Sequence, residues 1–228
     1  MIVGVTGHRP HKLWGYDDSK RQYKILQSIF RAELERLNVS DAWSGMALGT
    51  DVFFALEVLR MRAADRAIKL HCAIPCVGQE KKWPTRSQDI YNFCLEYAES
   101  KCYISKEYSA YAMQKRNEYI VDHVNKLIAV YDGSTGGTKN CIDYAERVGI
   151  PIMFIHPTQV DEIYEMQQCT MFNNFTLDVK LNKCNCSDCV SGDLCGLGIV
   201  QKQTLDAYEA AKFDGNSLAI DWLDGMEE

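Results

Sequence analysis

The sequence predicts a doubly wound α/β domain with a mostly parallel sheet over about residues 1–160, followed by a small cysteine-rich extension over 161–228. Three observations predict it. Short apolar runs are nearly continuous, as in strands buried on both faces. They alternate with amphipathic helical stretches, which implies right-handed crossovers. Glycine-containing loops follow three of the strands, at the sheet edge where such folds bind ligands.

The elements follow in order. "MIVGVTG" is an apolar strand ending in glycine. "DSKRQYKILQSIFRAELERLN" puts Tyr23, Ile25, Leu26, Ile29, Phe30 and Leu34 on one helical face, with charges opposite. "DAWSG" is a short strand, and "TDVFFALEVLRMRAADRA" a helix opened by Thr50 and Asp51, residue types that cap helices well. "IKLHCAIP" is a strand stopped by Pro75. "RSQDIYNFCLEYAES" is a helix, "KCYISK" a strand, "YAMQKRNEYIVDHVN" a helix and "KLIAVYD" a buried strand. "GTKNCIDYAERVG" is a helix ending at Gly149, and "IPIMFIH" closes the series. Beyond about residue 160 the rhythm is lost. A strand or two, a cysteine loop and a final helix near Thr204–Lys212 are expected there.

The strand ends carry the chemistry. "TGHRP" contributes Gly7, His8 and Arg9; "SGMALGTD" contributes Gly45, Met46, Gly49, Thr50 and Asp51; "DGSTGGT" contributes Asp132, Gly133, Gly136, Gly137 and Thr138. Glycine lets a backbone approach a ligand closely. The second and third loops run into helices, whose free amides and positive dipole ends suit an anion. His8 and Arg9 add cationic donors. Neither GxGxxG nor the Walker GxxxxGK[ST] pattern occurs, which disfavours a dehydrogenase and a P-loop NTPase. Asp51 and Asp132 read either as a first-turn acid and a turn former or as ligand contacts. Trp83 and Arg86, after the third strand, are further candidates to cover a bound base.

"TGHRP", "GMALGTD" and "MQKRNEYIVDHVNKLIAVYDGSTGGT" together resemble the SLOG superfamily of Rossmann-like nucleotide-binding proteins. It unites DprA-like proteins, lonely-guy phosphoribohydrolases and several nucleotide sensors. The nearest resemblance is to the small TGHRP-type proteins of bacteria and prophages, the YpsA and YoqJ kind, over about residues 1–157. The lonely-guy enzymes carry M-x-x-R-K, a strand, then P-G-G-x-G-T-x-x-E. Met113 and Arg116 fall on the methionine and arginine, Asn117 on the lysine, and Gly136, Gly137 and Thr138 approximate the glycine–threonine loop. The catalytic glutamate would fall at about Asn140 or Cys141, and neither supplies its negative charge. The resemblance therefore implies a binding protein for a nucleotide or nucleotide-derived small molecule, ADP-ribose-like or cyclic, acting as a sensor or phage-type sequestering protein. The alternative is a nucleotide N-glycosidase of the phosphoribohydrolase kind with another carboxylate.

Composition sets the outer limits. The net charge is −6, whereas a nonspecific DNA or RNA binder ordinarily carries a basic excess, so a nucleic-acid partner is disfavoured. No apolar run approaches bilayer length, and no basic leader precedes the first strand; a cytoplasmic protein with reduced thiols is expected. A homo-oligomer is left open. Six of the ten cysteines are scattered and read as small buried hydrophobes.

The other four, Cys184, Cys186, Cys189 and Cys195, form C-x-C-x2-C-x5-C. That spacing predicts a closed, four-thiolate structural zinc site ordering the extension. Metal analysis should find about one zinc per chain and its loss in Cys186→Ser; equal, near-zero metal in both would refute the site.

Overall fold

The computed structural model describes residues 1–173 apart from Asp65; the cysteine cluster and the helix expected near 204–212 lie outside them. The chain separates into two units, one ending at Val160 and the other beginning at Asp161.

In the first unit β1 (Ile2–Gly7), α1 (Arg21–Arg36), β2 (Asp41–Ser44), α2 (Thr50–Ala63), β3 (Lys69–Cys76), α3 (Thr85–Glu96) and β4 (Ser100–Ser105) follow one another. Then come α4 (Ala110–Asp122), β5 (Lys126–Val130), α5 (Gly137–Val148) and β6 (Ile152–Ile155). The strands form one parallel sheet in the order β4-β3-β2-β1-β5-β6. The chain moves outward from β1 to β4, returns through α4 to the other side of β1, and continues to β6. With right-handed crossovers, α1, α2 and α3 cover one face and α4 and α5 the other. The direction of winding reverses between β1 and β5, which makes their carboxyl ends the topological switch point.

The core follows the predicted apolar faces. On α1, Tyr23, Ile25, Leu26, Ile29, Phe30 and Leu34 are all buried, and Tyr23 stacks on Phe53 of α2. α2 is buried almost throughout, as expected of a helix with apolar residues on every side. On the opposite face Val121, Leu127, Cys141 and Ala145 form one cluster and Trp43, Ala73, Ile120 and Val124 another.

Several local expectations are corrected. β3 does not stop at Pro75 but runs to Cys76. Pairing with β2 ends at Cys72, so beyond that residue β3 has only β4 beside it. The amide that proline lacks is not missed on an open side. α2 is not capped by a Thr50 or Asp51 side chain: its N-cap is Gly49, and both side chains bond elsewhere. A helix, α6 (Val160–Asn173), stands at the start of the region where a strand or two were expected ahead of the cysteine loop. The signal was present in Asp161 and Glu162, which complement the helix dipole in its first turn. No helix among the described residues is long and apolar enough to cross a membrane.

Gly4 marks where β1 and α4 touch. A Cβ there would stand 2.8 Å from Ile120 Cγ2 and 3.0 Å from Val124 Cγ1. Gly4→Ala should therefore lower unfolding stability by about 1–3 kcal/mol in urea titrations; an unchanged midpoint would show that this contact yields freely.

Candidate functional site

A cavity of about 340 Å³ opens at the carboxyl ends of β1 and β5, within the range of small-molecule sites. Its walls come from four segments. Thr6, Gly7, His8 and Arg9 end β1 and lead into a 3-10 turn, Pro10–Lys12, which adds His11 and Lys12. Ala47 and Asp51 come from the β2–α2 connection, Met113, Arg116 and Asn117 from α4, and Thr135 to Thr138 from the start of α5.

Arg116 and Asp51 form the floor. Arg116 Nη1 donates to Asp51 Oδ2 at 2.8 Å, and the residues are only 7% and 4% exposed. Burial pushes the Asp51 carboxyl up from the ordinary range, while Arg116, the Ala47 N–H and Arg9 pull it down. Arg116 Nε is buried and, among the described residues, has no partner. Gly45 is obligatory beneath this pair, because a Cβ there would fall 1.4 Å from Arg116 Nη1.

The two helix starts differ. In α2, the Thr50 N–H donates to the His8 carbonyl at 3.3 Å, and Thr50 Oγ1 to the same oxygen at 3.0 Å. That closeness requires Gly7, since a Cβ there would meet the Thr50 side chain at 2.5 Å. Gly49, at φ +106°, passes 2.8 Å from the same carbonyl measured to its would-be Cβ. The start of α2 is thus consumed in building the β1 loop. In α5 the N-cap is Gly136, with no side-chain cap, and the amides of Gly137 and Thr138 have no bond within the protein among the described residues. A Cβ on Gly137 would meet nothing within 4 Å. This is an open helix N-terminus facing a cavity.

The third contact crosses the switch point. His8 Nε2 lies 2.6 Å from Asp132 Oδ1 and 3.1 Å from the Asp132 N–H. The same nitrogen makes both contacts: carrying the proton, Nε2 donates to the carboxylate; without it, Nε2 accepts from the peptide N–H. Asp132 Oδ1 also accepts from the Ser134 N–H at 2.8 Å, the turn-forming role expected of an aspartate there. Those Ser134 bonds, with His8 helping, hold its carboxyl well below the usual carboxylate range.

The predicted site residues therefore divide. Gly7, His8, Arg9, Asp51, Arg116, Gly136, Gly137 and Thr138 line the cavity. Gly45, Gly49 and Thr50 support it from behind. Met46 is fully buried at φ +53°, its carbonyl accepting from Gln79 Nε2, and does not face the cavity. Asp132 and Gly133 stand beside it. Trp83 packs edge-on against Tyr91 and Arg86 pairs with Asp18; neither lines the cavity. Asn140 is exposed and Cys141 buried, its thiol pushed up to about 11 by burial; neither lines the cavity. Lys12, His11 and Thr135 were not foreseen. The signal for Lys12 was the proline of "GHRPHK", which opens a 3-10 turn and folds the lysine back.

The model of the YspA SLOG family (YpsA) matches residues 3–160. The chain is 34% identical over 128 residues to the SPbeta prophage-derived protein YoqJ of Bacillus subtilis, covering 50% of this chain and 75% of that protein. It is 23% identical over 181 residues to a UPF0398 protein of Brevibacillus brevis, covering 75% of this chain and 96% of the relative. Among solved structures, DNA processing protein A of Streptococcus pneumoniae superposes with a TM-score of 0.48 and 15% identity, over 75% of this chain and 56% of that one.

The His8 pairing has a pH signature. Burial lowers His8 from its ordinary 6.5, with Asp132 opposing and Lys12 and His11 reinforcing. Just below 6.5 the unfolded chain then binds more protons at this residue than the native one, so stability is lost as pH falls through that window. Asp132 contributes only further down, as pH drops below its ordinary 3.8. Between about pH 7 and about pH 5 the melting temperature of His8→Gln should fall less steeply than that of the wild type; an equally steep fall would remove His8 from the account.

Proposed function

The chain belongs to the YspA SLOG family, and from that premise we propose that it binds a nucleotide or nucleotide-derived small molecule in the switch-point cavity without cleaving it. One observation carries the reading: a built cavity with an open helix N-terminus and three permanent cations, Arg9, Lys12 and Arg116, is lined, among the described residues, by a single carboxylate, already bonded to one of them. In a protein of net charge −6 this local excess of positive charge favours an anionic ligand. The phosphate rests on the amides of Gly137 and Thr138, at the positive end of the α5 dipole. Arg116, held by Asp51, faces the ligand without having to be ordered when it arrives. Sensing or sequestering a nucleotide signal is the role that suits such a site.

The placement of the carboxylates separates binding from hydrolysis. Breaking an N-glycosidic bond needs a charged group at the developing oxocarbenium ion or a proton for the leaving base. Asn140 points outside the cavity and Cys141 is a buried thiol. Asp51 alone favours the second reading, a hydrolase, because it lines the cavity and burial raises its carboxyl. Its Oδ2, however, is taken by Arg116.

Incubation with a panel of nucleotides, followed by denaturation and chromatography, should return the bound nucleotide intact. Free base with ribose phosphate would overturn the binding-only reading in favour of hydrolysis. Gly137→Asp puts a carboxylate into the open space before the α5 amides and should weaken binding by at least ~10-fold, about 1.4 kcal/mol; undiminished binding would place the ligand elsewhere.

A further inference from the structure

Within the proposed site, one cation is held only by neutral groups. The Lys12 ammonium donates to Ser134 Oγ at 2.8 Å and to the Thr135 carbonyl at 3.1 Å. Among the described residues no carboxylate pairs with it. Its Nζ lies 3.9 Å from the place where a side chain on Gly136 would begin, directly before the open amides of Gly137 and Thr138. From α4, Arg116 faces the same cavity, nine-tenths buried, with its Nε unpartnered. A buried donor without an acceptor is costly unless a ligand supplies one.

Charge then distinguishes between kinds of phosphate. Asp51 pairs with one of the three permanent cations, and the Asp132 carboxylate stands beside the cavity on His8 and Ser134; Lys12 and Arg9 line the cavity with no carboxylate bonded to either among the described residues, so the local charge still favours an added anion. A terminal phosphate has a second pKa of about 6 and approaches two negative charges at neutral pH. A phosphodiester, including a cyclic nucleotide, carries one charge on two non-bridging oxygens, where a monoester has three.

We propose that Lys12 makes this cavity selective for a terminal phosphate, so that the ligand is a phosphomonoester such as a nucleoside 5′-monophosphate and not a cyclic or bridging diester. The Lys12 ammonium exchanges its bond to the Thr135 carbonyl, a neutral acceptor, for a charged phosphate oxygen, a stronger partner. The phosphate is then held between Lys12 on the β1 side and the Gly137 and Thr138 amides on the β5 side. Lys12 acts as a clamp across the switch point and sets specificity.

The inference rests on the nucleotide-binding reading, and its test keeps the two apart. Wild type, Lys12→Met and Lys12→Arg are titrated calorimetrically with the common nucleoside 5′-monophosphates, their 3′,5′-cyclic forms and their nucleosides, with thermal unfolding as the check on folding. Wild type should prefer a 5′-monophosphate over its cyclic form by at least ~10-fold. Lys12→Met should bring the two within ~3-fold while leaving the nucleoside unchanged, and Lys12→Arg should keep most of the preference. Equal wild-type affinity for both forms would overturn the terminal-phosphate inference and leave nucleotide binding standing. So would a Lys12→Met variant that weakens all three classes alike, the mark of a structural role. Wild type that binds no member of these classes would overturn the terminal-phosphate inference, and if it also retains nothing from the wider nucleotide panel, both readings fall.

Discussion

A buried ion pair between two helices that lie far apart in sequence is the constraint on which this site depends. Arg116 of α4 and Asp51 of α2 meet at 2.8 Å, both more than nine-tenths buried at the cavity floor. Desolvating two charges costs several kcal/mol per ion, recovered only when geometry and further hydrogen bonds are good. Here the surroundings are arranged to that end. Ser44 Oγ donates to the Asp51 carbonyl at 2.8 Å and accepts from the Met46 N–H at 3.1 Å. The Ala47 N–H reaches Asp51 Oδ2 at 3.4 Å. The chain between them turns so tightly that Met46, a bulky residue, sits at φ +53°. Such backbone strain persists where the surroundings over-determine it, commonly at binding sites. Gly45 is the corollary, since any side chain there displaces the guanidinium.

The pair also explains why the two glycine loops that looked alike have different uses. The β2–α2 loop is closed on itself: Thr50 bonds back to His8, Gly49 and Gly7 permit the approach, and Asp51 turns to Arg116. It is scaffold. The β5–α5 loop is left open, with its first amides unspent. His8 with Asp132, and Lys12 with Ser134, tie the β1 loop to the β5 loop across the reversal in strand order. The fold puts the crevice there; these contacts set its width.

Much of this was legible in the chain. The strands and most helices follow from apolar runs and helical periodicity, because burial on both faces of a sheet leaves little choice of residue. The three loops and Arg116 were visible as motifs. What was not legible depends on neighbours distant in sequence. Asp51 reads as a capping residue until α4 returns and brings Arg116 beside it. Pro75 reads as a strand terminator until β2 is seen to end first. Lys12 reads as one more surface charge, while the lysine position of the resembling enzymes holds Asn117, which here donates to the Gly137 carbonyl at 3.1 Å. Met46 looked like a loop residue in a binding motif and is instead part of the packing that holds the loop.

On the proposed reading, the open amides of α5 receive a phosphate that Arg116 faces from the cavity floor. Amide NMR shifts recorded while a nucleoside 5′-monophosphate is added test it most directly. The largest shifts should fall on Gly137 and Thr138, and should shrink sharply in Arg116→Met at the same nucleotide concentration. Saturable binding with the largest shifts elsewhere in the fold, or undiminished shifts in Arg116→Met, would contradict it.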